Sequence, residues 1–181
     1  QTEFNKNIGK LESKGVEFVL NTKNITGQGF QWNTSFNIAN NRNKIIELPN
    51  ENADIINDEN ISRVGFPVNS FYMVDFAGVD PANGDALFYT DGEGTTTTND
   101  FEEANRVVAG NPQPTWISGL TNELSYKGLA LTFTFVGEWG ASIFNGGGVY
   151  QSSSADYFDN QTIDQLTRWQ KPGDITQVPQ A

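Results

Sequence analysis

Two stretches of this chain alternate apolar and polar residues with almost no error, and each follows a partner run through a tight turn. They are Phe30-Gln31-Trp32-Asn33-Thr34-Ser35-Phe36-Asn37-Ile38-Ala39 and Leu129-Ala130-Leu131-Thr132-Phe133-Thr134-Phe135-Val136-Gly137-Glu138-Trp139. A period of two is the period of a β-strand, so each run presents one greasy and one wet face. Each is also about the length a strand needs to cross a bilayer, roughly 9–11 residues. The same pattern fits a half-buried sheet of a soluble sandwich or jelly roll. The rest of the chain must separate the two.

Composition removes several function classes. With 22 acidic and 11 basic residues the formal net charge is −11, the wrong sign for holding nucleic-acid phosphates. Without His the commonest general base is missing, and without Cys there is no disulfide or thiolate metal site. No window of eighteen apolar residues is present, which rules out a transmembrane helix and leaves a β-barrel open. The 18 glycines, many in Asn-Gly, Asp-Gly and Gly-Gly pairs, point to an all-β, turn-rich chain. Beginning at Gln1 without a leader, the sequence reads as a mature product or a section of a longer protein.

Four principal strands are expected, at about 15–23, 30–40, 116–126 and 129–139, joined pairwise by short turns at 26–29 and 127–128. Two long excursions, about 41–115 and 140–181, complete the chain. The first holds a hairpin from Val68–Phe76 and Ala86–Tyr89 around an Asp/Asn/Gly turn, and a helix over Phe101–Ala109 capped by Asn99 or Asp100. The second holds a capping box at Thr162–Gln165 opening a short helix through Trp169. Short and long connections alternate, as in outer-membrane barrels, where the short turns face the periplasm. Phe30, Trp32 and Tyr126 fall near the short turns and Trp116 and Trp139 at the far strand ends, where an aromatic girdle would put them.

The faces then sort by parity. Phe30, Trp32, Phe36 and Ile38 with Leu129, Leu131, Phe133 and Phe135 form the candidate lipid-facing set. Gln31, Asn33, Ser35 and Asn37 with Thr132, Thr134 and Glu138 form the candidate lumen-facing set. Tyr150, Tyr157 and Trp169 are candidate loop or partner contacts. Asp80, Asn83 and Asp85 have the oxygens for calcium, but their spacing is not an EF-hand and such turns need no metal, so none is assigned. Neither Glu102 with Glu103 nor Asp156 with Asp159 marks a catalytic pocket, so no catalytic residue and no cofactor is expected and the chain reads as a non-enzyme.

Several segments are recognisable together. Phe30–Ile45, Gly65-Phe66-Pro67-Val68-Asn69-Ser70-Phe71-Tyr72, Phe76–Gly84, Gly110-Asn111-Pro112-Gln113-Pro114-Thr115-Trp116, Gly119–Asn122, Ser125–Gly128 and Arg168-Trp169-Gln170-Lys171-Pro172-Gly173-Asp174-Ile175 resemble, in order, the late barrel of the SusC/RagA family of TonB-dependent outer-membrane transporters. The resemblance implies part of a 22-stranded transmembrane β-barrel in the bacterial outer membrane, importing glycans or peptides. It also implies a SusD-like surface lipoprotein as lid, TonB acting through a plug region that this chain lacks, and the remainder of the barrel as neighbour. Two rivals stay open. One is a soluble β-rich carbohydrate-binding module with Trp116, Trp139 and Trp169 as a sugar platform. The other is a surface adhesin, for which repeats are expected and none is seen.

Overall fold

A computed structural model of the protein describes residues 9–152 and 160–180. In chain order the strands are β1 (Lys10–Thr26), β2 (Phe30–Glu47), β3 (Ile55–Asn57), β4 (Asn60–Ser62), β5 (Ser70–Val74), β6 (Phe76–Val79), β7 (Ala86–Tyr89), β8 (Thr97–Thr98), β9 (Arg106–Gly110), β10 (Trp116–Tyr126) and β11 (Leu129–Trp139). The chain divides into two compact units, Gln1–Ser70 with Gly110–Ser142, and Phe71–Ala109 with Ile143–Ala181.

The first unit is built on an antiparallel sheet ordered β1-β2-β10-β11. β10 and β11 have the limits that alternation sets, and Lys127 (φ 47) and Gly128 (φ 86) make the two-residue turn between them. Positive φ at both central positions matches the twist of a hairpin, and glycine takes it without strain. β1 and β2 run further than the expected 15–23 and 30–40, with 17 and 18 residues. Apolar alternation stops at Asn40, but the backbone ladder continues, pairing Lys14 with Arg42 and Glu12 with Lys44. Beyond the end of β10, the edge of β2 is taken up by other backbone. Asn41 N–H donates to Thr115 O at 3.0 Å, Ile45 N–H to Phe66 O at 2.9 Å, and Gly65 N–H to Ile45 O at 2.9 Å. The Asn43 side chain accepts from Val68 N–H at 2.9 Å. Side-chain patterning cannot report a strand held in this way.

The β3–β4 hairpin belongs to the same unit. Among the described residues the buried hydrophobic side chains are Ile45 (4% exposed) and Ile61 (buried completely). Neither lies in the paired span of β10 and β11, so the long sheet has no core of its own.

In the second unit β6 pairs with β7, β7 with β8, and β5 lies beside β9. Two helices expected from sequence are corrected here. Phe101–Ala109 is a single 3₁₀ turn, Phe101–Glu103, capped by the Asp100 carboxylate on Glu102 N–H at 2.9 Å, and then strand β9. The β-branched pair Val107-Val108 favours the strand over a longer helix. Ile163–Thr167 is also 3₁₀, and Thr162 makes no side-chain cap bond.

Candidate functional site

Residues paired across neighbouring strands share a face. Leu20, Phe36, Leu120 and Phe135 form one such row; Ile38 pairs with Phe18 and Ser118, and Tyr126 with Phe30 and Leu129. Phe30, Trp32, Phe36, Ile38, Leu129, Leu131, Phe133 and Phe135 therefore lie on one continuous face, joined there by Val16, Phe18, Leu20 and Leu124. Among the described residues of this unit, nothing packs on it. Val16 is 74% exposed, Leu129 76%, Phe135 63% and Leu131 60%. Four strands about 4.8 Å apart and eleven residues long give a nominal footprint of about 600 Å². That is the upper end of what a soluble monomer exposes in one patch.

At the two ends of this face sit aromatics. Trp116 and Trp139 are direct register partners at one end, and Phe30 and Tyr126 are partners at the other. The Trp139 ring lies where a side chain on Gly137 would stand, so glycine is what lets it fold flat. Ten residues separate Trp116 from Tyr126, about 33 Å along the strand, or about 25 Å vertically at the tilt of a barrel stave. The apolar band of an outer-membrane barrel has that height.

One feature of the apolar face escaped the parity reading. Midway along it, Trp32 Nε1–H donates to Asn122 Oδ1 at 2.9 Å, and Thr34 Oγ1–H donates to the same oxygen at 2.8 Å. Asn24 Nδ2 donates to Thr34 Oγ1 at 2.6 Å, and Thr22 Oγ1–H to Asn24 Oδ1 at 2.9 Å. Asn24 is the unpaired residue of a β-bulge between Lys23 and Ile25, and Asn122 is only 8% exposed. The chain of bonds crosses three strands. The signal was in the sequence, as Thr34 and Asn122 interrupting apolar parity, but only register shows that they meet.

The opposite face gathers Gln31, Asn33, Ser35, Asn37, Thr132, Thr134 and Glu138. Rows Lys23–Asn33–Glu123–Thr132 and Asn21–Ser35–Thr121–Thr134 cross all four strands. Thr121 and Thr134 share a hydroxyl–hydroxyl hydrogen bond of 2.9 Å, and the absent side chain of Gly119 makes room for the Asn37 amide. A shallow groove of about 350 Å³ runs here, lined by Asn21, Lys23, Asn33, Ser35, Thr121 and Glu123.

In the second unit, Trp169 leans on its own chain. Its ring lies against Gly84 (φ 84), and its Nε1–H donates to Pro81 O at 3.2 Å. Gly173 N–H also reaches Pro81 O, and Gln180 N–H reaches Gly84 O. Tyr150 is half exposed at the surface. Tyr157, Asp156 and Asp159 lie outside the described residues. Asp85 accepts from the amides of Asn83, Asn99 and Gln180, and Asp80 Oδ1 accepts from Ala82 N–H. Asp91 accepts from the backbone and hydroxyl groups of Thr95 and Thr96, which hold its carboxyl well below the usual range. No described helix is long and apolar enough to cross a membrane.

No protein-family model matches the chain. A TonB-dependent receptor of Formosa agariphila is 32% identical over 200 residues, covering 96% of this chain and 19% of the relative. TonB-dependent receptor SusC of Bacteroides thetaiotaomicron is 30% identical over 152 residues, covering 74% of this chain and 15% of the relative. The solved RagAB peptide transporter superposes with a TM-score of 0.83 at 25% identity, over 97% of this chain and 20% of that one. The chain thus spans about a fifth of the length of the first of these relatives. On sequence and fold alike, it belongs among the SusC/RagA-like TonB-dependent receptors, as a stretch of their barrel.

Proposed function

We propose that this chain supplies wall strands and surface loops to an outer-membrane importer of glycans or peptides, with a SusD-like lipoprotein as lid and TonB as energy source. The single observation that carries this reading is the bare apolar face of the β1-β2-β10-β11 sheet, bounded at both ends by aromatics. A soluble domain would cover that face with a second layer; hydrocarbon covers it in a membrane. Phe30, Trp32, Phe36, Ile38, Leu129, Leu131, Phe133 and Phe135 meet lipid, and Gln31, Asn33, Ser35, Asn37, Thr132, Thr134 and Glu138 meet the aqueous interior. Tyr150 and Trp169 belong to the loops near the lid.

The outer edges of β1 and β11 carry no further strand among the described residues. Backbone N–H and C=O groups left open to lipid cost several kcal/mol each, so neighbouring staves must close the sheet into a cylinder. Function here is containment rather than chemistry.

Lysine scanning tests the face assignment. At mid-bilayer a lipid-facing lysine costs about 2–4 kcal/mol, and a lumen-facing one far less. Phe133→Lys should therefore reduce the heat-modifiable, folded fraction in the outer membrane much more than Thr134→Lys. Equal losses, or a stable detergent-free monomer, would refute the reading.

A further inference from the structure

Of the eleven basic residues, Lys14, Arg42 and Lys44 gather on the outward side of the β1–β2 hairpin, just past the apolar band. Val16 and Asn40 lie in the same cross-strand row as Trp116, Lys14 pairs with Arg42 in the next outward row, and Glu12 with Lys44 in the one after. Two and four residues beyond the girdle are about 5 and 10 Å in height at the tilt of a barrel stave. The headgroup layer occupies that level.

Their arrangement is unfavourable without a ligand. Lys14 directly opposite Arg42 sets like charges across a strand pair, which destabilises a hairpin. Glu12 relieves only part of this. It holds Lys14 at 2.9 Å, while among the described residues Arg42 and Lys44 have no carboxylate within salt-bridge distance. The hydrogen bond from Lys14, with the charges of Lys14, Lys44 and Lys10, holds the Glu12 carboxyl below its ordinary range. A groove of about 410 Å³ opens between them, lined by Glu12, Lys14, Val16, Asn40, Arg42 and Lys44. Its lining joins the apolar side chain of Val16 to three cations, as a lipid with a charged head requires.

We propose that Lys14, Arg42 and Lys44 form a binding site for a phosphate group on the head of an outer-leaflet lipid. The phosphate bridges the opposed Lys14 and Arg42, Arg42 offering a planar fork of donors, and the acyl chains lie along Val16, Phe18 and Ile38. The site rests on the lipid-facing assignment made above.

The test uses the assembled receptor in phosphatidylcholine nanodiscs with diphosphoryl lipid A or its dephosphorylated form, the retained lipid being read by native mass spectrometry. The parent should retain the phosphorylated form preferentially. Lys14→Gln, Arg42→Gln and Lys44→Gln should each lower retention about fivefold, and Lys127→Gln, at the opposite end of the wall, should not. In phosphatidylcholine alone Arg42→Gln should match or exceed the parent in thermal stability, because repulsion is relieved; with diphosphoryl lipid A the order should reverse. Unchanged retention in the variants, no preference for the phosphorylated form, or complete displacement by millimolar inorganic phosphate would overturn the site. Heat-modifiable mobility of the same samples keeps the outcomes apart: an assembled barrel that lacks the preference sinks the site alone, and failure of the parent to assemble sinks the membrane reading.

Discussion

Replacing Asn122 with leucine should let the β2–β10 seam slip. The two short turns set register within each hairpin, but β2 and β10 are joined through residues 48–115 and have no turn to align them. Alternation does not align them either, because a slip of two residues returns every side chain to its original face. Asn122 discriminates: its Oδ1 accepts Trp32 Nε1–H and Thr34 Oγ1–H together, and a slip of two separates them. In hydrocarbon each donor left without a partner costs about 1–3 kcal/mol, reduced where a substitute acceptor is near. Thr34 keeps Asn24 as a neighbour, so the loss falls mainly on Trp32, and about 2–3 kcal/mol of register preference should disappear with Asn122. That is about a 30- to 150-fold rise in the slipped population. This stretch has no cysteine, so no native thiol within it competes with the engineered pairs. Ser35→Cys with Thr121→Cys should cross-link in the parent, since these residues are register partners. Asn33→Cys or Asn37→Cys with Thr121→Cys should cross-link only when Asn122→Leu is added. Ser118→Val, on the same face outside the network, is the control. If the slipped pairs stay unlinked with Asn122→Leu while the native pair still forms, the network does not set register.

The turn between β10 and β11 should tolerate little: Gly128→Val places a β-branched residue at φ 86 and should cost about 1–2 kcal/mol in urea unfolding, whereas Lys127→Asn, which suits positive φ, should be neutral or mildly stabilising. In the second unit Gly84→Val should push Trp169 off its seat, seen as a red-shifted indole emission and faster amide exchange at Gly173 and Gln180; unchanged exchange would mean that the contact is incidental. Asp91 has a folded-state acidity stronger than its unfolded one, so its contribution is full above the ordinary carboxylate range and fades as pH falls through the lowered folded value. The Thr95 and Thr96 amides should therefore stay protected at pH 4 and lose protection under stronger acid, and Asp91→Ala should remove it at every pH.

How far the sequence reveals the fold depends on what holds each element. β10 and β11 were legible because apolar and polar residues alternate along Leu129–Phe135 and Lys127-Gly128 marks the turn before it, so the limits of one strand set those of its partner. The outer third of β2 was not, because one of its edges bonds to Thr115, Gly65 and Phe66, partners remote in sequence, and the outer third of β1 extends by pairing with it. The helix expected at Phe101–Ala109 had the right cap at Asp100, but Val107 and Val108 belong to a strand that only tertiary pairing calls for. Thr34 and Asn122 looked like imperfections on a greasy face, because a hydrogen bond spanning 88 residues leaves no local trace. The cations Lys14, Arg42 and Lys44 are likewise scattered along the chain and meet only through register.

The sealing of β2 above β10 bears on life in a crowded membrane. A long polar strand rising out of the bilayer with one side unpaired would zip onto the same strand of an adjacent molecule, and a dense array of receptors would coalesce. Thr115, Gly65 and Phe66 occupy those main-chain groups from within the molecule. That side of the tall hairpin is then closed to the same strand of a neighbouring copy.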